Sequence, residues 1–173
     1  MTGFSAMGTQ ILVRGSMKLT THADPGCDFC AIAHAEEDAR VIFRTESVLA
    51  FFPLEPATLG HTLLVPRKHV QYIWDADVEL ARELGEQTLR LAKAIRDVVH
   101  PDGLNVIQSN GGAATQTVPH VHFHIVPRWN NDTFGPIWPP QTNYSERQKD
   151  SAWEALRTYF SPNTQSSPKT TPA

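Results

Sequence analysis

The sequence predicts an α+β domain: an antiparallel five-stranded sheet with one long helix and a C-terminal helix. Three observations predict it. Short apolar runs at 40–45, 47–52, 62–65, 104–108 and 118–127 are set apart by turns, loops and one helical stretch. Apolar residues recur at helical spacing from Val78 to Val98. Ser145 and Gln148 have the spacing of a capping box ahead of 146–159. Short strands joined by turns favour an antiparallel sheet with helices packed against it.

Taken in order, residues 1–23 show no clear periodicity, and Met1, Met7 and Met17 are each possible starts. This stretch is expected to be disordered or an upstream extension, and the folded domain is placed at 24–160. Cys27 to His34 reads as a metal knuckle leading into a short helix. Arg40–Thr45 and Ser47–Phe52 are two strands with a tight connection. Pro53, Pro56 and Gly60 mark 53–60 as a loop. Thr62–Val65 is an apolar strand ended by Pro66. Asp75 or Asp77 caps a helix to about Val99, with Val78, Ala81, Leu84, Thr88, Leu91, Ile95 and Val98 on its apolar face. Leu104–Gln108 is a strand, Ser109–Gln116 a loop of small and polar residues, and Val118–Pro127 the last strand. The tail 161–173 has no large apolar side chain and is expected to be disordered.

Composition narrows the function classes. At 173 residues the chain suits one domain, large enough to fold without a disulfide or metal. The formal charge is −3 and the pI about 6.2, so there is no general electrostatic pull on nucleic acid or an anionic membrane. No apolar run approaches the ~20 residues that cross a bilayer. Ile11–Val13 is too short for a signal-peptide core. A cytoplasmic protein is the expectation. In that setting the Cys27-x-x-Cys30 pair reads as a redox motif or as half of a metal site.

The decisive segment is Pro119-His120-Val121-His122-Phe123-His124-Ile125-Val126. A strand alternates faces, so Val121, Phe123 and Ile125 can fill a core while His120, His122 and His124 share the other face. A rise of ~3.3 Å per residue sets neighbouring histidines ~7 Å apart and the outer two ~13 Å apart. Zn–N bonds are only ~2.0–2.1 Å, so one metal collects at most one or two of them. At least one is free for chemistry, as nucleophile or base. Gly111 and Gly112 lie in the preceding loop, where backbone N–H groups can form an anion nest, and Ser109, Asn110, Gln116 and Thr117 add side-chain donors. Loop and histidines together look like a phosphate-binding site with a nitrogen nucleophile.

His120-Val121-His122-Phe123-His124-Ile125-Val126 resembles the His-φ-His-φ-His-φ-φ signature (φ, apolar) of the histidine triad (HIT) superfamily. Cys27-Asp28-Phe29-Cys30 with Ile32 is similar to the zinc knuckle of its bacterial members. Gly60-His61 through Arg67-Lys68-His69 resembles the family's Gly-His strand and basic Pro-x-x-His turn. Gln116-Thr117-Val118-Pro119 and Pro127-Arg128 also fit, so the resemblance covers about 27–130.

The resemblance implies a HIT-like fold and a hydrolase cleaving a phosphoanhydride or phosphoramidate bond at the α-phosphate of a nucleotide, with purine nucleoside phosphates as substrates. His122 would be the nucleophile, forming a nucleotidyl-histidine. His124 would donate a hydrogen bond to phosphate or leaving group, and His61 would support both. Ser109, Asn110, Gly111, Gln116 and Thr117 would bind substrate. Cys27, Cys30, His69 and His120 would hold a structural zinc, and the protein would be a homodimer. Histidine at 124, where the nucleotidyltransferase branch has glutamine, favours hydrolysis over transfer. Three positions depart from the pattern. Pro53 stands where Asp or Asn binds ribose, Ser109 where Asn is common and Thr115 where Gly is common. Phe51, Phe52, Leu54 and Ile32 can form an apolar base pocket or simply belong to the core. The competing readings are a non-catalytic nucleotide-binding or scaffolding protein, and a metallohydrolase with its zinc at the triad.

Overall fold

The computed structural model describes residues 23–34, 39–139 and 141–161. The remaining expectations for the two termini lie outside the described residues. The chain divides into two compact units, one ending at Phe134 and the other beginning at Gly135.

The first unit is the expected five-stranded antiparallel sheet. Its strands are β1 (Arg40–Arg44), β2 (Val48–Phe52), β3 (Thr62–Pro66), β4 (Gly103–Gln108) and β5 (Phe123–Arg128), in the spatial order β1-β2-β3-β5-β4. The tight β1–β2 connection is closed by Thr45, whose hydroxyl accepts from Ser47 and Val48 N–H at 3.3 and 3.0 Å. Helix α1 (Asp28–Ala33) and helix α2 (Val78–Val99) pack on opposite faces of the sheet. Val48, Ala50, Leu64, Val121 and Ile125 meet Leu80, Leu84, Leu91 and Ile95 of α2. Leu49, Phe51, Leu63 and Val65 meet Ala33, with Phe29 and Ile32 packed against them. Strands β2 and β3 are thus covered on both faces, which is why their sequences are almost unbroken apolar runs.

Two expectations need correction. Asp77 does cap α2, accepting from Leu80 N–H at 2.8 Å. The buried stripe, however, is Leu80, Leu84, Gln87, Leu91 and Ile95, and Val78, Ala81 and Val98 are exposed. Steps of three and four residues keep these five on one side of a 3.6-residue turn. Val78, two residues before Leu80, falls on the opposite side of the helix, and Val98 lies in its last turn. The last strand begins at Phe123, not Val118. Its ladder with β3 runs only from Thr62↔Ile125 to Leu64↔Phe123. Further along, Pro66 has no N–H to offer and its C=O accepts from the His120 ring, and Val121 N–H bonds to Val70 C=O at 2.7 Å. His120 and His122 therefore sit on an irregular extended segment, and only His124 is on a regular strand.

In the second unit, helix α3 (Glu146–Tyr159) starts at the expected capping box. The Ser145 hydroxyl accepts from Gln148 N–H at 3.3 Å, and Gln148 Oε1 accepts from Ser145 N–H at 2.9 Å.

Candidate active site and metal centre

The metal ligands expected from the sequence converge. The Sγ atoms of Cys27 and Cys30 and ring nitrogens of His69 and His120 all lie within 4.8 Å of one another. Cys27 Sγ is 3.3 Å from His120 Nδ1, and Cys30 Sγ is 3.3 Å from His69 Nδ1. These separations suit four donors around one ion with Zn–S near ~2.3 Å and Zn–N near ~2.0 Å. Backbone geometry aims the rings. His120 Nε2–H donates to Pro66 C=O at 2.9 Å, which leaves the Nδ1 lone pair facing the cysteines. Burial pushes the His120 ring down to about 4, keeping it neutral as a ligand must be. Burial also pushes the Cys30 thiol up to about 11, and a bound cation would reverse that by favouring thiolate. Two cysteine sulfurs, two ring nitrogens and their spacing fit a metal ion.

The second cluster lies on the same face. His122 is 3% exposed, and its Nδ1–H donates to the His120 carbonyl at 2.7 Å. A carbonyl can only accept, so the proton is on Nδ1 and Nε2 carries a free lone pair. The His122 ring packs edge-on against His124, with centroids 4.9 Å apart, and against Phe29 at 5.2 Å. His61 Nε2 lies 2.9 Å from His124 Nδ1, and Ala57 N–H donates to His61 Nδ1 at 3.0 Å. Burial holds the His61 and His122 rings below the ordinary histidine range. It pushes His124 down to about 4, with smaller contributions from His122 and His61. All three are neutral near pH 7.

Gly60 makes the His61 placement possible. Its φ is +88°, and a Cβ there would meet Pro127 Cγ at 3.2 Å. The turn is pinned to the end of β5 by Thr58 Oγ1, which donates to Pro127 C=O at 2.7 Å.

The loop before the triad is built differently from the simplest sequence expectation. Asn110 Oδ1 accepts from Ile73 N–H at 2.8 Å, and its amide donates to Gln108 Oε1 at 2.6 Å. Gln116 Oε1 accepts from Gly111 N–H at 2.7 Å, and its amide donates to Gln71 C=O at 2.9 Å. Asn110 and Gln116 thus brace the loop, and Gly111 N–H is engaged inside it. Ser109 Oγ and Thr117 Oγ1 make no hydrogen bond among the described residues. Thr115 adopts φ +64°, which is costly for a β-branched side chain.

A cavity of about 580 Å³ lies on the α1 side of the sheet, lined by Asp28, Phe29, Ile32, Ala39, Arg40, Phe51, Phe52, Pro53, Leu54 and Leu63. Phe29 joins cavity to triad, since the same ring packs on His122. The residues flagged as a possible base pocket, Ile32, Phe51, Phe52 and Leu54, all line it.

With this geometry in place, comparison with known proteins is decisive: the HIT domain family model matches residues 34–131, more than half of the chain. The chain belongs to the HIT domain family. Among relatives, it is 37% identical over 118 residues to the protein hit of Bacillus subtilis, covering 68% of this chain and 81% of that one. It is 33% identical over 132 residues to the adenosine 5′-monophosphoramidase of Saccharomyces cerevisiae, covering 75% of this chain and 80% of that one. A solved zinc-bound histidine triad family protein from Mycobacterium smegmatis superimposes with a TM-score of 0.60 at 34% identity, over 77% of this chain and 96% of that one.

In this HIT protein, sequence reasoning missed the groups that are not side chains. The carbonyls of Pro66 and His120 and the amide of Ala57 decide which ring nitrogen each histidine exposes. No residue-type signal could have found them. It also missed Asp28, Phe29, Arg40 and Leu63 as cavity residues. A helical phase for 28–33 would have put Phe29 and Ile32 on one face, three residues apart.

Proposed function

We propose that this HIT protein is a nucleotide hydrolase that cleaves a phosphoramidate or phosphoanhydride bond at the α-phosphate through a nucleotidyl-histidine. The observation that carries the reading is the bare Nε2 of His122, whose ring packs on Phe29, a wall residue of an apolar cavity of about 580 Å³. The purine base would occupy that cavity, against Phe29, Ile32, Phe51 and Leu54. His122 Nε2 would attack phosphorus, forming an N–P bond as the bond to the leaving group breaks. Water would then attack phosphorus and release the nucleoside monophosphate, returning the electron pair to Nε2. His124 would donate a hydrogen bond at the phosphate, and His61 would orient it. Ser109, Asn110, Gly111, Gln116 and Thr117 would shape the phosphate side, with the Thr117 hydroxyl the freest donor. The yeast relative's name, adenosine 5′-monophosphoramidase, supports this class of substrate.

Cys27, Cys30, His69 and His120 would hold a structural zinc, which would fix the segment carrying His122 without entering the reaction. A homodimer would form through the free edge of β4 and α2, where Val106, Leu89 and Val98 are exposed. No helix among the described residues is long and apolar enough to cross a membrane. A cytoplasmic setting would keep the two thiols reduced.

The test is His122→Asn against adenosine and guanosine phosphoramidates and dinucleoside polyphosphates. Turnover should fall by at least on the order of 10³-fold, and wild type should trap label from α-phosphate-labelled substrate. Unchanged hydrolysis by the variant would overturn the reading. Nucleotide binding by wild type with no turnover on the whole panel would replace it with the non-catalytic one.

A further inference from the structure

The chain of hydrogen bonds from Ala57 to His124 has only one consistent arrangement of protons. A backbone N–H can only donate, so His61 Nδ1, 3.0 Å from Ala57 N, must be the bare nitrogen. Neutral His61 then carries its proton on Nε2 and donates it to His124 Nδ1 at 2.9 Å. His124 Nδ1 is thereby an acceptor, and the single proton of that ring sits on Nε2. The Ala57 amide is itself held: Thr58 next to it is tied to Pro127, and His61 N–H donates to Thr58 C=O at 3.1 Å.

We infer that the Ala57 amide fixes His124 as a permanent Nε2–H hydrogen-bond donor and bars it from giving up that proton as a general acid. Were His124 to release it, the ring would become an imidazolate. Replacing it from His61 would only move that anion one ring back, because His61 Nδ1 faces an amide hydrogen. An imidazolium at His124 would need a proton on Nδ1, against the His61 N–H. The depressed basicity of His124 agrees with this.

The consequence concerns substrate class and rests on the proposed role of His122. His122 Nε2 bonds to phosphorus, and the leaving atom takes the electron pair without a proton from the protein. Leaving groups that depart as stable anions suit such a site: a phosphate from an anhydride, or a carboxylate from a mixed acyl–phosphate anhydride. So does an amine already protonated in the substrate. An alkoxide does not, and a phosphoramidate reacts through the form whose nitrogen has already taken its extra proton from water. The leaving group's final proton, where it needs one, comes from water.

Two measurements test this on the full-length, metal-loaded protein. In ¹⁵N-labelled protein at pH 7.5, long-range ¹H–¹⁵N spectra should show His61 and His124 both protonated on Nε2 alone. His124 should keep that tautomer in His61→Gln, whose amide can still donate, and show both tautomers in His61→Phe. A proton on His124 Nδ1 in wild type would overturn the inference. The second is single-turnover formation of the His122 adduct from aryl esters of AMP, graded from dinitrophenol to phenol. Lacking an acid, wild type should lose on the order of 10²-fold or more across the series, and His124→Gln should lower every member by a similar factor. A flat series in wild type that turns steep in His124→Gln makes His124 the acid and overturns the inference. Failure to form any adduct counts against the nucleophile, while the tautomers still decide the role of His124.

Discussion

His120 and His122 stand two residues apart on the same stretch of chain and present opposite ring nitrogens. In the metal corner, the Pro66 carbonyl takes the Nε2 proton of His120 and turns Nδ1 toward Cys27. In the pocket corner, the His120 carbonyl takes the Nδ1 proton of His122 and leaves Nε2 bare, with the ring packed on Phe29 of the cavity wall. Residue type, burial and neutral charge are alike in both. What separates ligand from candidate nucleophile is which backbone oxygen lies on which side of the ring. Identical side chains acquire different chemistry from a backbone group of a few tenths of an electron charge, because a neutral imidazole has one proton to place.

The largest effect should come from the metal corner. Chelation, or Cys27→Ser, should lower Tm by on the order of 10 °C, measured by calorimetry with metal content followed in parallel. Since His122 leans on the His120 carbonyl, turnover should fall together with bound metal. A metal-free protein with unchanged Tm would show that the two corners are independent. Next, Gly60→Ala acts on the pocket corner alone. A side chain at φ +88° against Pro127 should cost about 2 kcal/mol in denaturant unfolding. It should leave bound metal unchanged while displacing His61.

The pH dependence is smaller. His124 is pushed down to about 4 in the folded state, below its unfolded value near ~6.5, so the unfolded chain binds more protons. Stability should therefore be full above about pH 6.5 and be lost as pH falls toward 4. His61 and His122 shift in the same direction. Partial exposure of His124 limits its share to on the order of 1 kcal/mol at pH 5. Urea midpoints at pH 5 and 7.5 should differ less in His124→Gln than in wild type. Smallest is Thr115→Gly, which should raise stability by about 0.5–1 kcal/mol by relieving φ +64°, with bound metal unaffected.

Much of the molecule could be read from the chain. All five strands, an aspartate cap at 75 or 77 and the Ser145 capping box were legible because they rest on local periodicity and hydrogen bonds spanning three residues; the structure selects Asp77. The ligand set of Cys27, Cys30, His69 and His120 was legible through a family resemblance, and the structure brings those atoms together. The start of the last strand was not. It depends on Pro66, far away in sequence, denying Val121 a ladder partner. The α2 stripe was only half legible, since apolar spacing alone does not show which apolar positions the sheet covers.

By itself the sequence determined the elements, the apolar partner face of Val121, Phe123 and Ile125, and the supply of histidines and cysteines. Only the tertiary structure decided what each imidazole does. Ring protonation is fixed by the Pro66 and His120 carbonyls and the Ala57 amide. Every residue but proline carries both such backbone groups, so their identity says nothing. Their positions, set by the packed chain, decide.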